Sequence, residues 1–249
     1  LRGRDLFAAK RRAIESARAA GIGVVLVPTL VPGVNTGEIG AIVDFAKGEM
    51  PTVRAVHFQP VSYFGRSPGA PCDEDRITLP EVVQALIEHA GGAIRLEDFR
   101  PGSAENPFCS FSGRFTVDPS GRLSADPEPV PSCCAFGTEE TEETGCCGTT
   151  AWRSPEVARA QRYVAGQWAR APLGEPSASG LDAFDVFLER QGRRLSLSAM
   201  AFQDAWTLDL DRLRQCYIHV AQSDGRVVPF CAYNLTDLNG RSLYRGPST

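Results

Sequence analysis

Long apolar runs are missing from this 249-residue chain. Stretches such as Ile22-Gly-Val-Val-Leu-Val-Pro28 fall far short of the roughly 20 residues that cross a bilayer, so no segment reads as a membrane-spanning helix. No basic segment followed by an apolar one opens the chain, and secretion finds no support. Excess positive charge is missing as well: the formal net charge is −4, which gives no general attraction to nucleic acid or anionic lipid. Phosphate-cradling loops of the G-x-G-x-x-G or G-x4-G-K-[ST] type are absent, which weighs against a nucleotide enzyme of those kinds. Histidine is scarce, three residues in all, and none stands near a candidate nucleophile as a Ser/His/Asp constellation requires. Cysteine is absent from the first 71 residues, yet the chain has eight, seven of them beyond residue 100.

What is present divides accordingly. Asp5 to Ala20 reads as a helix stopped by Gly21 and Gly23. Val24 to Val27 is a continuous β-branched and aliphatic run, which predicts a strand buried on both faces. Thr36 is a candidate N-cap, and Ile39, Ile42, Val43 and Ala46 recur at the spacing of an amphipathic helix. Val53 to Val61 predicts the next strand, and Thr78-Leu-Pro-Glu81 is a capping box with proline in the first turn. Helices and buried strands in alternation predict a parallel α/β sheet or part of a barrel. Two strands are too few to close one, and with Leu1 rather than Met at its start the chain is expected to continue from an N-terminal part. Ligands of such sheets meet the C-terminal ends of the strands. Those ends are Pro28-Thr-Leu-Val-Pro-Gly-Val-Asn35 and His57-Phe-Gln-Pro-Val-Ser62. Thr29, Asn35, His57 and Gln59 are candidate ligand-lining residues. Alternatively, the prolines only turn the chain and His57 is a satisfied core side chain.

The second part is organised around cysteine. Arg114 to Ser124 predicts a hairpin turning at Asp118-Pro-Ser-Gly121. Cys133-Cys134 and Cys146-Cys147 then flank an acidic tip and match no common zinc-ribbon spacing. Helical patterns follow at Ser154 to Trp168 and Leu181 to Leu188, with a Pro/Gly/Ser-rich stretch between them, then a strand at Leu195 to Phe202 and a helix at Leu208 to Gln215. Tyr217 to Gln222 and Arg226 to Phe230 flank Ser223-Asp-Gly225, a hairpin turn signal. Cys216 and Cys231 sit just outside its two strands, so a tight hairpin brings them opposite each other. Read from spacing alone, they could share a disulfide or a metal. Cys72, in the loop read as a boundary, is expected to be a free surface thiol.

Four motifs in order, Arg2-Gly-Arg-Asp-Leu6, Val25-Leu-Val-Pro-Thr29, Val31-Pro-Gly-Val-Asn35 and His57-Phe-Gln-Pro-Val-Ser-Tyr-Phe-Gly-Arg66, resemble the later strands of a radical SAM partial barrel. The segment from Cys216 to Asn234 resembles the C-terminal region of the tetraether-lipid-synthase-like and TrsS-type subgroup. The resemblance covers residues 1 to about 100 and about 195 to 245. It implies the C-terminal portion of a partial (β/α) barrel over residues 1–100, followed by a cysteine-rich α+β domain over 101–249. It also implies S-adenosylmethionine, a [4Fe-4S] cluster and a 5′-deoxyadenosyl radical that abstracts hydrogen from a substrate. Thr29, Val31, Asn35, His57 and Gln59 would then line the S-adenosylmethionine end, and Cys109, Cys133, Cys134, Cys146, Cys147, Cys216 and Cys231 would be candidate ligands of an auxiliary cluster. The family's C-x3-C-x2-C motif is not in this chain. The chain is therefore expected not to cleave S-adenosylmethionine alone and to act with its N-terminal part, a cytoplasmic location and a reductant protein. The competing expectation is a zinc- or disulfide-stabilised binding or scaffold module.

Overall fold

A computed structural model describes residues 3–64, 69–101, 106–126, 193–216, 218–237 and 239–245. The two vicinal cysteine pairs, the acidic tip between them and the helical patterns at 154–168 and 181–188 lie outside the described residues.

Helix α1 (Phe7–Ala20) ends at Gly21, which turns left-handed at φ +68° and returns its N–H to Arg18 and Ala17 carbonyls. Strand β1 (Val24–Leu26), the two-residue β2 (Thr29–Leu30) and helix α2 (Ile39–Gly48) follow. Ile39, Val43 and Ala46 form the buried stripe of α2, as their spacing predicts. A short 3-10 turn at Thr36–Glu38 precedes it, with Asn35 rather than Thr36 at the cap position. Strand β3 (Val53–Pro60) leads to α3 (Leu79–His89). The capping box of α3 is formed: Thr78 accepts from the Glu81 N–H, and the Glu81 carboxylate accepts from the Thr78 N–H at 2.6 Å. Strands β4 (Arg100–Pro101), β5 (Ser110–Val117), β6 (Leu123–Ala125) and β7 (Arg194–Met200) complete the main sheet. Helix α4 (Leu210–Arg214), strands β8 (His219–Ala221) and β9 (Val227–Pro229), and helix α5 (Phe230–Asn234) follow.

The sheet runs β1-β3-β7-β5-β4, with β2 added to β3 and β6 to β5. β1, β3 and β7 are parallel, whereas β5 is antiparallel to β7. The α/β class is therefore as expected, but the described sheet is mixed. Strands from both sides of residue 100 belong to it. β8 and β9 pair separately with Val220 opposite Val228, the register that centres the hairpin on its predicted turn.

One strand departs from expectation. Val24 to Val27 was to be buried on both faces, but β1 is the sheet's edge: Val24, Val25 and Leu26 are half-buried and Val27 is 55% exposed. An aliphatic run has the same composition whether it sits centrally or borders an apolar groove, and only strand order distinguishes the two. Here it borders a groove of about 570 Å³ whose lining includes Phe7, Ile14, Val25, Val27, Ile42 and Phe45.

The sheet's two faces differ because strand side chains alternate. Register places Val56 beside Leu197 and Gly113, and Phe58 beside Ala199 and Phe111. This face joins the buried stripes of α2 and α3 in one core, in which Phe58, Leu197 and Phe115 are fully buried. Gly113 makes room there: a Cβ would stand 2.7 Å from the Phe115 ring. On the opposite face, His57 lies beside Ser198 and Ser112, and Ala55 beside Ser196 and Arg114.

Candidate functional site

The polar row is held by backbone pairing before any side chain contributes. His57 on β3 and Ser198 on β7 are direct partners across parallel strands, and Nδ1 and Oγ stand 2.9 Å apart. The imidazole tautomer decides which of them donates. Gln59, one row further along β3, pairs with Thr29 of β2, so the two strand-end segments singled out from the sequence are neighbours. Asn35 closes the first of these loops: its Nδ2 donates to the Thr29 carbonyl and its Oδ1 accepts from the Val31 N–H, both at 2.8 Å. Thr29, Val31, Asn35, His57 and Gln59 are all half-buried. The fold thus brings them to the C-terminal edge of the parallel strands. Asn35 there organises the loop through both halves of its amide.

The same edge is secured by a buried carboxylate. Asp204, fully buried, accepts from Arg76 Nη1 and Nη2 at 3.0 and 3.1 Å, from the Tyr63 N–H at 2.9 Å and from the Trp206 N–H at 3.1 Å. Burial pushes this carboxyl up, but the bonds from Arg76, Tyr63 and Trp206 outweigh it and hold the group below its ordinary value. Ser62 Oγ also donates to the Phe202 carbonyl at 2.9 Å, joining the segment after β3 to the segment after β7.

Beside this lies a group of three thiols from distant parts of the chain. Cys109 precedes β5, and its carbonyl accepts from the Ala201 N–H just past the end of β7. Cys231, 7% exposed at the start of α5, accepts at Sγ from the Gln203 N–H at 3.3 Å. Cys216 precedes β8, and its thiol donates to the Ile218 carbonyl at 3.3 Å. Burial pushes the Cys231 thiol up; the Gln203 N–H lowers it, the Cys216 and Cys109 sulfurs raise it, and Arg212 lowers it. All three are free thiols, so the hairpin does not carry the disulfide that spacing left open. Among the described residues, no three histidine, cysteine or acidic side chains gather closely enough to hold one metal ion. Arg212 Nη2 donates to Cys109 Sγ at 3.4 Å, and its Nε–H is buried without a partner. Cys72 is exposed and apart from this group. Its thiol donates to Asp75, and that hydrogen bond is the main cause raising its pKa.

Ser198, Arg76, Asp204, Gln203 and Arg212 were not singled out from the sequence. Ser198 carries a weak signal, a serine alternating with aliphatic residues in a strand pattern. Asp204-x-x-Thr207 and Asp209-x-x-Arg212 read as ordinary turn and cap chemistry.

No family model matches the chain. It is 30% identical over 264 aligned positions to the 7,8-dihydro-6-hydroxymethylpterin dimethyltransferase of Methanocaldococcus jannaschii, an alignment taking in 94% of this chain and 52% of that protein. The chain spans about half the length of this curated relative. Among the described residues, no helix is long and apolar enough to cross a membrane.

Proposed function

We propose that the chain is the C-terminal part of a radical SAM enzyme that transfers methyl groups to, or otherwise modifies, a compact heterocyclic substrate of the pterin class. The observation that carries this reading is convergence at one sheet edge. The polar row of His57 and Ser198 leads to the Thr29–Asn35 loop, and Cys109 and Cys231 bond to Ala201 and Gln203 in the segment just past β7. Similarity to a pterin dimethyltransferase across 94% of the chain supports the reaction class. S-adenosylmethionine and a reduced [4Fe-4S] cluster, when bound, would supply the radical chemistry.

This chain's own residues would supply binding and order. Thr29, Val31, His57 and Gln59 would line the cofactor end, with Asn35 keeping the loop closed. Cys109, Cys216 and Cys231 would hold the auxiliary iron–sulfur centre, with Cys133, Cys134, Cys146 and Cys147 as candidate further ligands. The C-x3-C-x2-C segment would come from an N-terminal part. The outer edge of β1 and its apolar groove offer a preceding parallel strand a place to pair.

Anaerobic purification of the complete polypeptide followed by iron, sulfide and zinc analysis tests this. Brown protein containing iron and sulfide, forming 5′-deoxyadenosine from S-adenosylmethionine in the presence of reductant, is the expected result. Colourless, zinc-loaded protein without sulfide would overturn it in favour of a scaffold module.

A further inference from the structure

The seven strands of the main sheet carry four arginines and not one aspartate or glutamate, in a chain whose net charge is −4. Three of those arginines, Arg100, Arg114 and Arg194, alternate onto the polar face, away from the core. Arg194 is paired with Asp126, Nε and Oδ2 standing 2.8 Å apart. Arg100 is exposed on the edge strand β4, and among the described residues no ion pair or hydrogen bond engages its side chain. A face that only meets water gains from charges of both signs. This one has no carboxylate on its strands and is complementary to an anion.

Register carries that charge to the candidate site. Arg100 is the direct partner of Ser112, Ser112 of Ser198, and Ser198 of His57. Directly opposed residues share a face of the sheet, so the four side chains form one row across β4, β5, β7 and β3. Strand spacing puts Arg100 about 14 Å from His57 along this row. At the His57 end, Gln59 on the same face pairs with Thr29 of the strand-end loop. In the middle, Ser112 is exposed, and its hydroxyl bonds to no other described residue. The Ser112 hydroxyl and the Arg100 guanidinium therefore keep their donors for a ligand.

We propose that the Arg100–Ser112–Ser198–His57 row is the substrate track of this site, and that it selects a heterocycle carrying an acidic substituent. The reacting end lies toward His57, and the carboxylate or phosphate lies at Arg100. This deepens, and rests on, the reading of the substrate as a pterin-class heterocycle. The hydrogen-bonding edge of the ring meets Ser112 and Ser198. The Arg100 guanidinium donates to the anion, a charge-assisted bond that a neutral substituent does not make.

Equilibrium titration of the complete polypeptide with three fluorescent probes tests this: 6-hydroxymethylpterin, its phosphate ester and pterin-6-carboxylate. At least one acidic probe is expected to bind several-fold more tightly than the neutral one, and the tighter of the two identifies the acidic group. Arg100→Gln should bring the acidic probes down to the affinity of the neutral probe and leave the neutral probe unchanged, with Arg100→Lys recovering part of the preference. Ser112→Ala should weaken all three by a similar factor. Both positions are exposed, so these variants are expected to keep the unsubstituted circular dichroism spectrum. Equal affinity for acidic and neutral probes, a preference that survives Arg100→Gln, or undiminished binding in Ser112→Ala overturns the proposal. Failure of the underlying pterin reading looks different: none of the three probes binds the unsubstituted protein, and the proposal falls with it.

Discussion

The two faces of one sheet are made by the same strands and do opposite work. On β3 and β7, Val56, Phe58, Leu197 and Ala199 turn to the helices and vanish into the core; His57, Ser196 and Ser198, one residue away in each case, form the polar row. One face is tuned for exclusion of water and the other for hydrogen bonding. A one-residue shift in register would exchange them, so the core enforces the geometry of the site.

The largest effect should come from breaking the apolar face. Phe58→Ala removes a fully buried ring from the core and should destabilise the chain by about 3–5 kcal/mol, measured by urea unfolding. A loss below about 1 kcal/mol would mean that the core does not close over β3 as described.

The next tests the seam between the two faces. Arg76→Met leaves the buried Asp204 carboxylate without its cation and should cost about 3 kcal/mol at neutral pH. In the unsubstituted protein the Asp204 pKa is held below its ordinary 3.8. Its contribution to stability is therefore present above that value and lost as the pH falls through the lower, folded one. In Arg76→Met, burial acts with less opposition, so the loss of stability between about pH 5 and pH 3 should flatten. An acid limb as steep as that of the unsubstituted protein would show that Asp204 is not the group responsible.

The smallest effect on folding should come from the polar row. Ser198→Ala removes the hydroxyl 2.9 Å from His57 Nδ1 and should cost no more than about 1 kcal/mol by the same unfolding measurement. In the complete polypeptide it should weaken S-adenosylmethionine binding several-fold by equilibrium titration. Large destabilisation with unchanged binding would reverse the roles assigned to the two faces.

Much of the local structure is readable directly from residues. The Thr78–Glu81 capping box, the Gly21 stop, the stripe of α2 and the centring of the β8–β9 hairpin are short-range matters of cap, turn and periodicity. Such features depend on neighbours a few positions apart, and the sequence states them outright. The candidate site was legible only in part. Thr29, Asn35, His57 and Gln59 stand out because they follow strand-like runs; Ser198, Gln203 and Arg212 do not, because their partners lie far away in sequence. His57 and Ser198 are 141 residues apart, and Cys109 and Arg212 are 103 apart.

Helix ends, turns and the two-residue alternation of the strands follow from the chain alone, since local backbone sterics and hydrogen bonds determine them. Strand order does not. That β7 lies between β3 and β5, that β1 takes the edge, and that Arg212 reaches Cys109 are outcomes of long-range packing. Burial of a shared apolar face selects one arrangement among many with the same local patterns, and the polar face is assembled as its consequence.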